Sequence, residues 1–465
     1  MLLPTRTTAR VRPYLLRGYR PLFLSLMNKP RRFCLISLGC PKNLVDSEGM
    51  ATLLQRAGHT VAAAPEEADL VIINTCGFIA PAREESLAVL QELAQAKRPG
   101  QRLIAAGCYS QRCPRELVKA VPGIDGLIGT RRWMDIVPLV ERLNEQPVTF
   151  LPALERGQQK TPDVPRVAVQ GASAYLKLAD GCRRSCAFCA IPLIKGPAVS
   201  RPPEAILADA AHLAERGVRE IILIAQDTTD YGHDLEMHEG LADLLGRLVM
   251  ATPQIEWIRL MYAYPGRVTE RLIETMARHP QILPYLDIPL QHAHPRVLRR
   301  MRRPANVEGV RRTIEHLRAA MPDIAIRTTF IVGYPGETGA EFRALLDFVA
   351  EVEFDRVGVF AYSHEEGTAA ARLEDDVEPE VKEERRERLM AVQQHISLAK
   401  NQVLVGRTLD VLVEGQGEGL SVGRCYRDAP EIDGLVLVQA ELPVGQIVPV
   451  RITAALEYDL VGEPK

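Results

Sequence analysis

The chain reads as an α/β protein in three modules: an N-terminal parallel α/β domain, a central partial (β/α)6 barrel, and a small C-terminal antiparallel β-barrel. Three observations predict this. Over residues 33–144, short apolar runs alternate with helical patterns and end at cysteines. Over residues 166–400, six strand-like runs alternate with helical stretches. Over residues 401–465, short strand patterns are separated by glycine-rich turns. Alternating β and α segments imply parallel sheets, whereas short strands joined by tight turns imply a small closed barrel.

At 465 residues the chain exceeds one ordinary domain. A hydrophobic fraction of 46% and a charged fraction of 25% are those of a soluble globular protein. A net charge of −2 excludes a generic polyanion binder, and no apolar run approaches the roughly 20 residues of a membrane span. Nine cysteines, three of them closely spaced, argue for metal ligation in a reducing compartment and against a secreted disulfide framework. Residues 1–32 carry basic side chains and no acidic ones. They read as a disordered extension, or as a start upstream of a genuine one at Met27.

In the first module the runs FCLISLG, ADLVIINT and QRLIAAG precede helices near Leu44–Ala57, Ala82–Ala96 and Pro114–Ala120. The runs lead into Cys40, Cys76 and Cys108. Ligands of open α/β sheets gather beyond the carboxyl ends of the strands, so three strand-end thiols converge on one edge. Gly39, Gly77 and Gly107 flank them, as expected where backbone approaches a bulky ligand. A metal or cluster site follows; zinc remains open, but it wants a fourth ligand or a water. Cys34, Cys113 and Cys425 have no such placement and read as structural. Residues 145–165, with Pro147, Pro152, Pro162 and Pro165, read as a linker.

The second module carries the runs AYLKLAD, EIILIAQD, IEWIRLMYAY, YLDIPLQ, IAIRTTFIVG and DRVGVFAYS. Six βα units are too few for a complete eight-strand barrel, so an open, partial one is expected. Directly after the first run comes DGCRRSCAFCAIP, with Cys182, Cys186 and Cys189 in a C-x3-C-x2-C loop and Phe188 before the last thiol. A cubane iron–sulfur cluster normally takes four thiolates, so three leave one iron open to a small molecule. Polar residues gather at the other strand ends: Asp180; Gln226 and Asp227; Tyr262 and Tyr264; Gln291 and His292; and the Gly333–Glu337 turn. Each alone is a turn former, and their repetition at one rim suggests function. His292 and His294 are not needed as metal ligands beside two cysteine sets. Arg201 either meets a carboxylate or lies on a solvated face. The charged run Glu365–Arg388 reads as a solvated loop and a surface helix.

From Gln402 to Lys465 five basic residues face ten acidic ones, a net of −5. Small β-barrels that bind nucleic acid carry a basic face, so this one favours a basic protein partner.

The segments LGCPKN, NTCGFI, AGCYSQR, DGCRRSCAFCAIPLIKG, AQDTTDYG, LPYLDIPLQHAHPRVL and FIVGYPGET resemble the methylthiotransferase family of radical S-adenosylmethionine enzymes, over essentially the whole chain after Arg32. They look most like the RimO-type branch, which acts on a ribosomal protein; the tRNA-modifying branch is the close relative. The resemblance implies a radical-generating 4Fe–4S cluster on Cys182, Cys186 and Cys189. It implies an auxiliary 4Fe–4S cluster on Cys40, Cys76 and Cys108, whose open iron binds the sulfur to be transferred, and a C-terminal domain of the TRAM type. One S-adenosylmethionine methylates that sulfur, and a second is cleaved to a 5′-deoxyadenosyl radical. The radical takes hydrogen from the β-carbon of an aspartate in the small-subunit ribosomal protein S-twelve, which then receives the methylthio group. Cleaving the sulfonium needs a strong reductant, and cluster potentials reach about −700 mV. The two clusters must serve one carbon, so the N-terminal domain is expected to cap the barrel. Phe188, Gln226, Asp227, Gly333, Gly336 and Glu337 are the expected cofactor contacts. The expected setting is cytoplasmic, with a flavodoxin or ferredoxin as electron donor, the substrate free or ribosome-bound, no membrane, and no nucleic acid as direct substrate.

Overall fold

The computed structural model describes residues 30–143, 147–150 and 171–465. The expected extension and most of the expected linker lie outside these residues. The chain forms two compact units, and the second holds both the central and the C-terminal modules.

The first unit runs β1 (Arg32–Ser37), α1 (Pro41–Arg56), β2 (Thr60–Val61), β3 (Leu70–Thr75), α2 (Ala80–Gln95), β4 (Arg102–Gly107), α3 (Cys108–Arg112), α4 (Pro114–Ala120), β5 (Gly126–Gly129), α5 (Ile136–Arg142) and β6 (Val148–Phe150). Its six strands form one parallel sheet in the order β2-β1-β3-β4-β5-β6. The strand period of two sends alternate residues to opposite faces. Phe33, Leu35, Ile72 and Ile104 pack on Met50 and Leu54 of α1 and Leu139 of α5. Cys34, Val71, Ile73 and Leu103 pack on Leu90 of α2 and Leu117 of α4. Both faces are covered, as all-parallel sheets require. α1 begins earlier than the apolar pattern suggests, because Pro41 takes the first helical position, where its missing N–H costs nothing. β6 falls in the stretch read as linker: it pairs with β5 although it is only three residues long, too short to show a period.

The second unit contains β7 (Ser173–Lys177), β8 (Ala179–Asp180), then, after the short α6 (Ile191–Ile194) of the first unit, β9 (Val199–Ser200), α7 (Pro203–Glu215), β10 (Glu220–Ile224), α8 (Gly240–Ala251), β11 (Trp257–Leu260) and α9 (Glu270–Arg278). It continues with β12 (Ile282–Asp287), α10 (Pro295–Arg300), α11 (Val307–Ala320), β13 (Ala325–Val332), α12 (Gly339–Val352), β14 (Arg356–Ala361) and the long α13 (Pro379–Gln402). Six parallel strands form an open sheet, β14-β13-β12-β11-β10-β7. This is the expected partial barrel. Its helix-side face is apolar: Leu176, Ile221, Leu223, Ile258, Leu260, Leu286 and Ile326 join the core beneath α7–α12.

The C-terminal module comprises β15 (Thr408–Gly417), β16 (Leu420–Arg424), β17 (Val436–Val438), β18 (Ile447–Ala455) and β19 (Leu460–Pro464), closed in the order β15-β16-β17-β19-β18. It is not wholly antiparallel, because β17 and β19 run parallel. A ring of five strands cannot alternate direction throughout, so one parallel pair is unavoidable.

This module packs on polar side chains at the amino-terminal part of the central sheet. Glu220 on β10 accepts from Arg259 on β11 at 2.7 Å and from Arg424 on β16 at 2.6 Å, and all three are buried. Asp433 accepts from Tyr285 at 2.7 Å and Arg327 at 3.3 Å. Arg356 meets Asp428 at 2.6 Å, and Arg427 meets Asp355 at 3.1 Å. Buried charges persist only when paired in this way. The buried Arg424, Arg427, Asp428 and Asp433 cancel one another, so three basic and eight acidic residues keep the module's net at −5, with Arg407 also bridging to Asp323 and Glu414 to Arg424.

Candidate metal centres

In the first unit, β1, β3 and β4 are neighbours, and their carboxyl ends carry the three predicted thiols. Cys40 caps the amino terminus of α1, Cys76 follows β3 directly, and Cys108 opens α3 directly after β4. Cys40 is exposed, whereas Cys76 and Cys108 are buried. The backbone of Cys76 is held from both sides by Ser86, whose hydroxyl accepts from its N–H at 3.0 Å and donates to its carbonyl at 3.1 Å. The flanking glycines act between the loops themselves. A Cβ on Gly39 would stand 2.7 Å from Cys76 Cβ and 3.0 Å from its sulfur, and one on Gly77 would stand 2.6 Å from the backbone of Tyr109. Glycine therefore lets the three loops close on one another.

Burial pushes the Cys76 thiol up to about 11, with Cys40 adding to the rise. Burial pushes Cys108 up to about 12, against the nearby Lys195 ammonium. Lys195, next to α6, is itself buried and lies 3.4 Å from Asp46 of α1. Burial thus disfavours the thiolates of Cys76 and Cys108 until a metal displaces their protons. Three thiols and no carboxylate or imidazole form a soft donor set suited to iron–sulfur clusters. Among the described residues no group of three or more His, Cys, Asp or Glu side chains is arranged to hold a single metal ion. The fully buried hydroxyl of Ser110, two residues past Cys108, has no hydrogen-bond partner.

In the second unit the loop from Cys182 to Cys189 leaves β8. Its middle is clamped by backbone bonds on both sides: Ala187 N–H donates to Met301 O at 2.8 Å, and Ala187 O accepts from Ala370 N–H at 2.8 Å. Arg184 N–H points to Cys182 Sγ at 3.4 Å, and Arg303 Nη1 to Cys186 Sγ at 3.6 Å. Burial raises the Cys182 thiol to about 11, opposed by the Arg184 N–H and reinforced by Asp227. N–H donors aimed at sulfur favour the thiolate and so suit a cluster ligand.

The AQDTTDYG segment holds this loop. Asp227 accepts from Arg184 at 2.7 Å, and Asp230 accepts from both nitrogens of the Arg183 fork at 2.6 and 2.5 Å. The Arg184 and Arg303 guanidinium groups both lie over the Tyr264 ring, 4.5 and 4.3 Å from its centroid. Asp230 and Arg303 were missed from sequence. The available signal was the pair of adjacent arginines between two thiols, which demands acidic partners.

The remaining expected contacts are placed as follows. Gln226 is half-buried after β10. Phe188 packs with Val297, Met301 and Tyr334. Gly333 and Gly336 take left-handed backbone, with φ of 67° and 75°. Gly336 N–H donates to Asp376 at 2.6 Å, and a Cβ on Gly333 would strike the Lys382 side chain. The Glu337 carboxylate is fully buried, 2.9 Å from His292 Nε2, and accepts from Arg385 at 2.8 Å and from Gly333 N–H. His292 Nδ1 accepts from His294 N–H at 2.9 Å, so both ring nitrogens are engaged within the protein. Arg201 is also internal, bonded to Asp209 and to Lys177 O, each at 3.0 Å.

Three family models match: the uncharacterized protein family UPF0004 over residues 32–129, the radical SAM superfamily over 176–349, and the TRAM domain over 405–464. The ribosomal protein uS12 methylthiotransferase RimO of Chloroflexus aurantiacus is 54% identical over 453 residues, covering 93% of this chain and 99% of that one. The protein of the same name from a Roseiflexus strain is 51% identical, covering 93% and 97%. A solved structure of the radical S-adenosylmethionine methyltransferase TsrM from Kitasatospora setae superposes with a TM-score of 0.52 at 13% identity, covering 84% of this chain and 77% of that one, a likeness of fold alone. With three family models in the expected order and relatives this similar over nearly full length, the chain belongs to the RimO family of radical S-adenosylmethionine methylthiotransferases.

Proposed function

We propose that this protein transfers a methylthio group to the β-carbon of an aspartate in ribosomal protein uS12. The observation that carries the reading is the presence of two separate three-thiol sets, one at the carboxyl ends of three neighbouring strands and the other on a single loop after β8, in a chain so similar to proteins named for this reaction. Bound at these sets, one 4Fe–4S cluster would supply the electron that cleaves S-adenosylmethionine, and the other the iron that carries sulfur. Cys182, Cys186 and Cys189 would hold the first and Cys40, Cys76 and Cys108 the second.

The chain's own side chains prepare the loop. Asp227 and Asp230 fix the two arginines between Cys182 and Cys186, and the Ala187 backbone bonds fix the turn before Cys189. Gln226 and Phe188 remain the cofactor contacts this reading favours. Gly333, Gly336 and Glu337 would shape the cofactor site through the turn they build, because the Glu337 carboxylate already serves His292 and Arg385. The acidic surface of the C-terminal module suits a basic protein substrate and disfavours tRNA, the other substrate of this enzyme class. A flavodoxin or ferredoxin would supply electrons, and a reducing cytoplasm would keep the nine cysteines free.

Intact-mass measurement of uS12 from cells with and without the gene tests the proposal. A methylthio increment that depends on the gene supports it. An unchanged uS12 together with an altered tRNA nucleoside would replace it with the tRNA reading.

A further inference from the structure

One buried side chain touches all three cysteine-bearing segments of the first unit. Asn43, in the first turn of α1, has no exposed surface. Its backbone N–H donates to Cys40 O at 2.9 Å. Its side-chain Nδ2 donates to Leu38 O at 3.0 Å and to Thr75 O at 3.1 Å. Its Oδ1 accepts from the Cys108 thiol at 3.5 Å. Leu38 lies two residues before Cys40, and Thr75 immediately precedes Cys76. The amide is therefore bonded beside two thiols and to the third. Its own carbonyl accepts from Asn74 Nδ2 at 2.8 Å, which ties the helix turn to the end of β3.

We propose that Asn43 is the positioning residue of the auxiliary cluster, setting the mutual spacing of Cys40, Cys76 and Cys108; this rests on the reading of those thiols as cluster ligands. A cubane is rigid, so its three thiolates must be presented at set separations, and orienting groups behind metal ligands perform that task. The chemistry asks for asparagine. The two Nδ2 donors on a short planar group match the two carbonyls beside Cys40 and Cys76, while Oδ1 accepts from the Cys108 thiol only until a metal displaces its proton. Aspartate has the same shape but lacks donors, and would aim a buried charge at two carbonyl oxygens. Alanine removes both donors from these two carbonyls. The two Nδ2 bonds do not involve the thiols, so they outlast the loss of the Cys108 proton when metal binds.

The test compares full-length Asn43→Ala and Asn43→Asp with wild type and with the triple Cys40→Ala, Cys76→Ala, Cys108→Ala variant, all reconstituted anaerobically with iron and sulfide. Iron and acid-labile sulfide are measured with the electron paramagnetic resonance of the reduced proteins and the formation of 5′-deoxyadenosine. Both Asn43 variants are expected to lose one of two clusters, with iron falling to the level of the triple variant, while 5′-deoxyadenosine formation continues. Full iron in both Asn43 variants overturns the proposal. Loss of both clusters together with 5′-deoxyadenosine also overturns it, because Asn43 then serves the fold at large. A triple variant that keeps both clusters refutes the ligand assignment itself, and the proposal falls with it.

Discussion

Arg184 Nε donates to Asp227 Oδ2 at 2.7 Å, joining the interior of the cysteine loop to the turn after the second barrel strand. Asp227 is nearly inaccessible, and the hydroxyl of Thr229 takes its other oxygen at 2.6 Å. The carboxylate thus anchors the loop that presents the thiols.

Asp227→Asn should remove about 2 kcal/mol of charge-assisted bonding from this loop. Arg184 keeps its 3.1 Å contact with Asp230, so the unit stays folded. The expected outcome is a fall of about thirtyfold in 5′-deoxyadenosine formation, as that energy implies for a loop that must be ordered to act. Iron at Cys40, Cys76 and Cys108 stays unchanged. Wild-type rates in Asp227→Asn would show that the loop holds its shape without the anchor.

Glu220 predicts the acid behaviour of the second unit. Burial alone would raise its carboxyl, but Arg424 and Arg259 hold it down at about 2. A carboxylate depressed on folding contributes stability that is fully present above its unfolded value, near 4.5, and is lost as pH falls through about 2. That contribution is on the order of 3 kcal/mol. Asp433 has the opposite sign: burial raises its carboxyl despite Arg327 and Arg356, so acidification relieves part of its cost. Trp257, paired with Glu220 across β10 and β11, reports on this region. Its emission should hold as pH falls through 4 and change only nearer 2. In Glu220→Gln, which leaves two buried arginines short of a charge, the change should come at higher pH. Identical profiles would remove the assigned role.

Gly39→Ala should impair the auxiliary site alone. Its φ of 87° costs an L-residue about 1–2 kcal/mol, and the added methyl would stand 2.7 Å from Cys76 Cβ. Iron content should fall while the unfolding midpoint of the second unit holds. Full iron loading in Gly39→Ala would mean that the loops can part without losing the ligands.

Periodicity carried most of the fold into view. The FCLISLG, ADLVIINT and QRLIAAG runs lie in β1, β3 and β4, and their endings announced the thiol edge. β6 escaped because three residues show no period. The parallel β17–β19 pair escaped because strand direction in a closed ring depends on strand number, not on local pattern. Site residues were legible where one element dictates chemistry, as with thiols at strand ends. They were illegible where partners are far apart in sequence. Asp230 meets Arg183, Arg303 meets Cys186, and Asn43 meets Cys108 only after folding. Glu337 was legible as part of a turn, but not as the partner of His292 and Arg385.

In the proposed function the two thiol sets divide the work, one making the radical and the other delivering sulfur. Its most direct test is the triple Cys40→Ala, Cys76→Ala, Cys108→Ala variant, incubated with uS12, S-adenosylmethionine and a chemical reductant. Formation of 5′-deoxyadenosine should continue while the uS12 mass stays unmodified. Methylthiolated uS12 made by that variant would show that Cys40, Cys76 and Cys108 do not deliver the sulfur.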